Sequence, residues 1–360
     1  MSECAGRPEK LKILHILPEL EEGGVERLVP VFANIQSSLG HKVYVASNGG
    51  RLESLLSPGV THIKMPSHKK NPVVGVRCAM RLASLARREK ISIVHAHSRI
   101  PAWIGYLTRM LTPGLKYIYT AHARFSTLNY GSWPISRADG VICVSRSVRE
   151  HMRKWLPRDD GRIRVIYNAL PGRVIPWHGS GDGATKHMLF VGRVSEKKDP
   201  ITLVEALAGA SNKNWSLDIL GDGPLRPKLE ARVRELGVED KINLRGFSNG
   251  VAEAFAACDL FLCPSQDEEG YGLTLAEAFA AGAPAMATNI SATRELTTKE
   301  GEPPSAELLP VGDVAAWRGA IDRFLSGEYM PALKMSIHQP TAEEMVESTL
   351  RFYEEILRCT

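Results

Sequence analysis

Cysteine is scarce: six occur in 360 residues (Cys4, Cys78, Cys143, Cys258, Cys263, Cys359), and none forms a C-x-x-C pair. This scatter argues against a disulfide framework or a thiolate zinc site. Cys143 and Cys263 stand in apolar runs and read as small core residues. No apolar run approaches the roughly 20 residues that a membrane-spanning helix needs. The opening MSECAGRPEKLK is polar and charged, which excludes a secretory signal and leads us to expect the chain in the cytosol. No D-x-D pair suited to a divalent metal is present, and no full G-x-G-x-x-G follows the first strand, which disfavours an NAD oxidoreductase. There is no stripe of arginine and lysine interleaved with aromatics, so nucleic acid is not an expected partner.

What remains is ordinary soluble composition, 44% hydrophobic and 24% charged, with a net charge of +5. That charge suits an anionic substrate or an anionic membrane surface and selects neither. A chain of this length exceeds what one hydrophobic core usually serves, so two domains are expected.

Strand-like and helix-like segments alternate. LKILHILP is followed by a glycine turn and a helix ending at Gly40. KVYVAS, THIKM, ISIVHAH, KYIYTAH and GVICVS follow, with helical stretches at Val76 to Arg88 and Arg146 to Trp155. Such alternation predicts parallel sheets with helices on both faces. PGRVIPWHGSGDGAT (171–185) is dense in glycine, proline and serine and reads as an interdomain linker. The pattern then restarts with HMLFVGR, SLDILGDG, INLRGF, DLFLCPS and APAMAT. The expected division is therefore 1–170, linker 171–185, 186–340, and an amphipathic helix within 341–360. That helix carries Met345, Leu350, Tyr353 and Ile356 or Leu357 on one face.

The second half carries the chemistry. In DEEGYGLTLAEAFAAGAP, Glu269 and Glu277 flank a glycine turn that opens a helix near Thr274. Unpaired N–H groups and the positive end of the dipole suit a diphosphate there, and Gly270 and Gly272 permit close approach. Glu277 can chelate a ribose diol, and Glu269 can accept from sugar hydroxyls. Alternatively, Thr274-x-x-Glu277 is a capping box, a different geometry. In FVGRVSEKKDP, Arg193 and Lys198, with Lys197 beside them, can neutralise charge on a departing phosphate or form a solvated basic loop. ILGDGPLRPKL has G-x-G but Arg226 at the last glycine position, a weak fingerprint and a plausible tight turn.

Together these segments resemble the retaining GT-B glycosyltransferases of family 4 (group 1). EEGYGLTLAEAFAAGAPAMAT resembles that family's E-x7-E motif, VGRVSEKKD its G-R-x-x-x-x-K segment, GDGPL its G-x-G-P-L turn and EGGVERLV its first-domain glycine loop. The resemblance implies an α/β fold of two Rossmann-like doubly wound domains facing across a cleft, with the last helix packing back on the N-terminal domain. It implies that Arg193 and Lys198 hold the donor diphosphate. Amides around Gly272, Leu273 and Thr274 would bind phosphate, Glu277 the ribose, and Glu269 the transferred sugar. Gly23 and Gly24 would let a first-domain loop close over the phosphates, and His122, in YTAHARF, would face the donor sugar. The chain departs from the family pattern at Asp199, where glycine is common, at Asn168-Ala169-Leu170-Pro171 and at Ser291-Ala292. These changes bear on donor identity and leave the phosphate and ribose contacts in place.

In the first half, His95 and His97 alternate as a metal pair would, but no carboxylate or cysteine stands near them in sequence. They read as strand-end polar residues, with His97 nearer the strand's end and the acceptor. Arg77, Arg81 and Arg88, with Arg87, Lys69 and Lys70, form a basic helix face, either solvated or meeting an anionic lipid headgroup.

The expectation is a metal-independent, retaining transferase with no cofactor. It moves sugar from a UDP- or GDP-linked donor to a hydroxyl of a growing glycan or glycolipid, in lipopolysaccharide or exopolysaccharide synthesis. It would be cytoplasmic, with peripheral contact at the inner face of an anionic membrane. The rival readings are a non-catalytic nucleotide-sugar scaffold and a phosphorylase or epimerase on the same fold.

Overall fold

A computed structural model describes residues 10–21, 23–124, 130–156, 161–181, 183–248, 250–266, 269–298, 307–328 and 335–359. Cys4, and Asp267 and Glu268 of the DEEGYG stretch, lie outside these residues. The chain forms two compact units, one of residues 1–171 with 340–360 and the other of residues 172–339.

Unit 1 is built on a seven-stranded sheet in the order β3-β2-β1-β4-β5-β6-β7. The strands are β1 (Lys12–Ile16), β2 (Lys42–Ser47), β3 (Val60–Lys64), β4 (Ile93–His97), β5 (Lys116–Ala121), β6 (Gly140–Cys143) and β7 (Ile163–Val165). Every pairing is parallel. Helices α1 (Gly24–Ser38), α2 (Pro72–Glu89), α3 (Arg99–Met110) and α4 (Arg146–Arg153) connect them. Strands such as β4, buried at every position, explain the unbroken apolar runs, because helices cover both faces of a parallel sheet.

Unit 2 repeats the plan with five parallel strands in the order β10-β9-β8-β11-β12. These are β8 (Lys186–Val191), β9 (Trp215–Leu220), β10 (Ile242–Gly246), β11 (Leu260–Cys263) and β12 (Ala285–Ala287). Its helices are α5 (Pro200–Ala208), α6 (Arg226–Glu235), α7 (Val251–Ala257), α8 (Leu273–Ala281), α9 (Ser291–Thr297) and α10 (Val314–Leu325). Phe190, Trp215, Leu217 and Trp317 anchor one core layer.

The glycine- and proline-rich segment read as a linker is stapled onto unit 2 in its described part. Trp177 donates its backbone N–H to Ala281 and its indole N–H to the Cys258 carbonyl, each at 2.7 Å. Ser180 donates to the Asp259 carboxylate. Lack of periodicity marked irregular backbone, and the anchoring comes from tryptophan and polar contacts that periodicity does not register.

The last helix, α11 (Ala342–Arg358), belongs to unit 1. A capping box between Thr341 and Glu344 starts it. Its Met345, Val346, Phe352, Tyr353 and Ile356 join Ile13, Ile93, Ile118 and Ile142 in one core cluster. Gly140 admits the helix: a Cβ there would lie 2.9 Å from the Phe352 ring.

In each sheet the strand order reverses at one point, between β1 and β4 in unit 1 and between β8 and β11 in unit 2. In open α/β sheets such a switch point, at the carboxyl ends of the strands, is where ligands bind.

Candidate functional site

The switch point of unit 2 gathers the candidate donor-site residues. Gly192 and Arg193 follow β8, and Lys198 ends that loop; Ser265, Gln266 and Glu269 follow β11. The Lys198 ammonium donates to a Glu269 carboxylate oxygen. Burial alone would raise the Glu269 carboxyl, but the Lys198 charge and hydrogen bonds from Lys198, Ser265 and the Gly272 amide hold it below its ordinary value. Burial alone would lower Lys198, and Glu269, with Cys263, raises it instead. Both groups are therefore held charged. The Lys198 stem runs past Gly192, whose ideal Cβ position lies 3.6–3.7 Å from its methylenes. Arg193 is exposed at the mouth of the same loop.

Helix α8 begins at Leu273, one residue before Thr274, with Gly272 as its N-cap in the left-handed conformation at φ 84°. No side chain caps it, so the Thr274–Glu277 capping box does not form. Thr274 is instead the second helical residue and Glu277 the fifth. The Leu273 and Thr274 amides sit in the first turn, where intrahelical acceptors are missing. The Gly272 amide already faces Glu269, so the α8 N-terminus holds a carboxylate in the free protein.

Two further residues lock this geometry: Asp199, noted in the sequence only as a departure from the family pattern, and Gln266, not singled out from the sequence. Asp199 adopts φ 45° and ψ 53°, a left-handed conformation natural to the glycine common at this position in the resembling family. Its carboxylate accepts from the Thr202 amide and hydroxyl, capping α5, and from the Gln266 amide at 2.9 Å. The Gln266 backbone N–H donates to the Lys197 carbonyl at 2.8 Å, so the loops after β8 and β11 are stitched twice. The signal was legible: Asp-Pro-x-Thr is a helix start with proline at the first helical position. The GDGP turn packs against the same loop, and a Cβ on Gly221 would lie 2.0 Å from the Gly192 carbonyl oxygen. Arg226 bonds Glu230, Asp222 and the Leu244 carbonyl, which places it in scaffolding.

In unit 1, Gly23 is the N-cap of α1 with φ 150°, and Gly24 is its first residue. A Cβ on Gly23 would lie 2.2 Å from a Glu26 carboxylate oxygen. His122 follows β5 directly. His95 and His97 are not an isolated pair: His15 of β1, in register with His95, joins them. His15 Nδ1 lies 3.2 Å from His97 Nε2, and His97 Nδ1 lies 3.1 Å from His122 Nε2. The third histidine was missed because sheet order, not sequence distance, brings β1 beside β4. Its signal was a lone polar residue inside the apolar run LKILHIL.

Two parallel α/β units, each doubly wound about one switch point, define the GT-B class of glycosyltransferase fold. Among solved structures, a glycosyltransferase from Rickettsia africae matches at a TM-score of 0.78 and 24% identity, over 98% of this chain and all of that one. Anabaena Alr3699/HepE in complex with UDP and glucose matches at 0.73 and 18% identity, over 97% of both chains. The family follows from the sequence: the model for "Glycosyl transferases group 1" matches residues 180–341 and that for "Glycosyltransferase Family 4" residues 22–171. The chain belongs to the group 1, family 4 glycosyltransferases. One similar protein is an exopolysaccharide phosphotransferase of Streptomyces coelicolor, 29% identical over 61% of this chain but only 22% of that one. The N-acetyl-alpha-D-glucosaminyl L-malate synthase of Bacillus anthracis is 26% identical over 80% of this chain and 81% of its own. The UDP-Gal:alpha-D-GlcNAc-diphosphoundecaprenol alpha-1,3-galactosyltransferase of Escherichia coli is 24% identical over 87% and 88%.

Proposed function

We propose that this protein transfers a sugar, with retention and without a metal, from a UDP- or GDP-linked donor to a hydroxyl of a growing envelope glycan or glycolipid. The observation that carries this is the charged Lys198–Glu269 pair at the switch point of unit 2, beside the first turn of α8. A diphosphate arriving there meets the α8 amides, Lys198 and the exposed Arg193, all of which stabilise negative charge. Glu277, in the second turn of α8, binds the ribose diol, and Glu269 the transferred sugar's hydroxyls. Of unit 1, we assign Gly23 and Gly24 at the start of α1 to the donor phosphates and His122 after β5 to the sugar. In a front-face reaction the acceptor oxygen bonds the anomeric carbon as the carbon–phosphate oxygen bond breaks. The acceptor proton then passes to that departing phosphate oxygen, so no dedicated base is needed. The UDP-bound Anabaena structure and the diphosphoundecaprenol-directed enzyme of E. coli support the donor and acceptor classes.

The acceptor class fits a second feature. No helix among the described residues is long and apolar enough to cross a membrane. The outer face of α2, however, exposes Val73, Val76 and Met80 at 60%, 45% and 58%. Arg77, Arg81, Arg87 and Arg88 are exposed on the same helix, and Lys69 and Lys70 precede it. An apolar stripe flanked by cations fits the surface of an anionic bilayer, where a lipid-linked acceptor resides.

A panel of UDP-, GDP- and other nucleotide sugars, screened by thermal shift and then by transfer and hydrolysis, tests the main reading. Stabilisation by one nucleotide class, with sugar transferred to a lipid-diphosphate acceptor and the anomeric configuration kept, is the expected result. Binding without transfer or hydrolysis favours the scaffold, and conversion without acceptor favours the epimerase. No stabilisation by any member of the panel refutes the donor site.

A further inference from the structure

Four histidines of unit 1 stand at its switch point, and the proposed transfer reaction uses only His122. His15 and His95 are fully buried and His97 nearly so. Ring nitrogens of His15, His95 and His97 come within 4.8 Å of one another, a disposition that resembles a metal site. The hydrogen bonds point elsewhere. Each of these rings already has both nitrogens engaged. His15 meets Gln36 Oε1 at 2.8 Å and His97; His97 meets His15 and His122; His95 meets the Tyr353 hydroxyl at 2.5 Å and Thr120 Oγ1 at 2.6 Å. No carboxylate or thiol joins the group among the described residues to offset a buried cation.

Proton counting gives the row a direction. The Gln36 carboxamide turns Oε1 to His15 and leaves its Nε2 buried and without a partner among the described residues; Oε1 only accepts, so in this orientation His15 Nε2 carries the proton. Burial keeps His15 neutral, lowering its pKa to about 4, so its Nδ1 is bare. His97 Nε2 must then donate to His15, which leaves His97 Nδ1 bare. His122 Nε2 must donate to His97, which leaves His122 Nδ1 as a lone pair. That nitrogen is buried and has no hydrogen-bond partner among the described residues.

We propose that Gln36, His97 and His15 are positioning residues that hold His122 in the tautomer protonated on Nε2 and bare on Nδ1. Gln36 sets the direction of the row from two rings away. A bare imidazole nitrogen accepts from hydroxyls and repels phosphoryl oxygens, so the row assigns His122 to sugar rather than to phosphate. That consequence rests on the proposed donor-facing role of His122, whereas the tautomer does not.

The test therefore reads the tautomer directly. The full-length protein, labelled with 15N-histidine and free of ligand, is examined at neutral pH by long-range proton–nitrogen spectra. Four single-site variants assign the rings. His122 is expected to show a protonated Nε2 and a bare Nδ1, favoured roughly tenfold or more if each link contributes about 1.4 kcal/mol. Gln36→Met, which keeps the volume and removes the acceptor, should reduce that preference to a mixture. Gln36→Glu, which restores an acceptor, should recover it. A proton on His122 Nδ1 in the wild type overturns the proposal, as does a His122 tautomer indifferent to Gln36→Met in a folded protein. Stoichiometric zinc that copurifies and is lost on His15→Asn also overturns it, because metal would occupy the two nitrogens that share a proton. A lower kcat for Gln36→Met at unchanged donor KM, rescued by Gln36→Glu, ties the row to the reaction. A tautomer shift at unchanged kcat sustains the row and overturns the donor-facing role of His122.

Discussion

Lys198 and Glu269 form one ion pair across the ends of two adjacent strands, with each side chain 20% exposed. The pair pre-places a cation where a leaving nucleoside diphosphate gathers charge. Lys198→Met should lower kcat at saturating donor by about 100-fold or more, the usual effect of removing one charge-stabilising donor. Arg193→Ala should lower it comparably and leave the melting temperature alone, because the guanidinium is exposed. Steady-state kinetics on both variants decides the matter, and wild-type kcat in either removes that residue from the mechanism.

Glu277 supplies a cleaner separation of binding from folding. Since Gly272 caps α8 without side-chain help, Glu277→Gln removes a charge without breaking a cap. Affinity for the nucleotide should fall about tenfold or more, the loss of a charged hydrogen bond to ribose, and a melting curve accompanies the variant because Glu277 also has a partner within the protein. Calorimetric titration with UDP and with its 2′-deoxy analogue reads this directly. Equal affinity in wild type and variant sinks the ribose role.

Asp199 combines two demands in one residue: a left-handed backbone and a carboxylate cap. Asp199→Gly keeps the first and loses the second, and should cost about 1 kcal/mol, a few tenths from the cap and the rest from the lost Gln266 bond. Asp199→Ala loses both and should cost about 2–3 kcal/mol. Asp199→Asn, which tolerates the conformation and retains one acceptor, should lie nearest the wild type. Urea midpoints that fall from wild type through Asp199→Asn and Asp199→Gly to Asp199→Ala are the expected outcome, and an alanine variant as stable as the glycine variant contradicts the argument.

The histidine row makes unit 1 sensitive to acid. Burial lowers His15 and His122 to about 4, and His95 and His97 well below their ordinary value. The groups facing these rings are one another, Gln36, Thr120 and the Tyr353 phenol. His41 and His62 are lowered too, mainly by burial, with opposing contributions from Glu354 and Glu53. Because the folded values lie below the unfolded ones, the unfolded chain binds more protons in the window between. Stability is full above about pH 6.5 and falls as pH drops toward 4, by roughly 1.4 kcal/mol per pH unit for each ring that must charge. Urea midpoints at pH 7, 6 and 5, with unit 1 followed through its histidine ring signals, should fall in that order. His122→Asn should flatten the slope, and equal midpoints at pH 7 and pH 5 refute it.

Sequence periodicity exposed the alternating architecture, because parallel strands covered on both faces leave unbroken apolar runs such as KYIYTA and LFLC. The loops that carry Arg193, Lys198 and Glu269 were visible as breaks after such runs. Their mutual contacts were not, because strand order decides them: β8 and β11 are neighbours although about 70 residues separate Lys198 from Glu269. The same holds for His15 and His97, whose ring contact follows from β1 lying beside β4. The glycines were legible as turns; Asp199 was legible as a helix cap before Pro200, but not its left-handed backbone, which a non-glycine residue rarely adopts.

The α2 face gives the prediction that links this chain to a membrane. Vesicles containing about 30% anionic lipid at low salt should sediment the protein, and binding should weaken as salt rises. Neutralising both charges in Arg77→Gln/Arg81→Gln should lower affinity about thirtyfold, at about 1 kcal/mol per cation near the surface. Arg81 also donates to the Lys64 carbonyl at 3.0 Å, so a melting curve must accompany that variant. Val73→Ser/Met80→Ser removes apolar contact and leaves the charge intact. It should therefore lower affinity at every salt concentration, whereas the arginine variant should lose mainly the salt dependence. Two separable responses are what a bilayer demands of a helix that carries both an apolar stripe and cations. No binding to anionic vesicles at low salt removes the membrane role, and binding equal in all three proteins removes α2 from it.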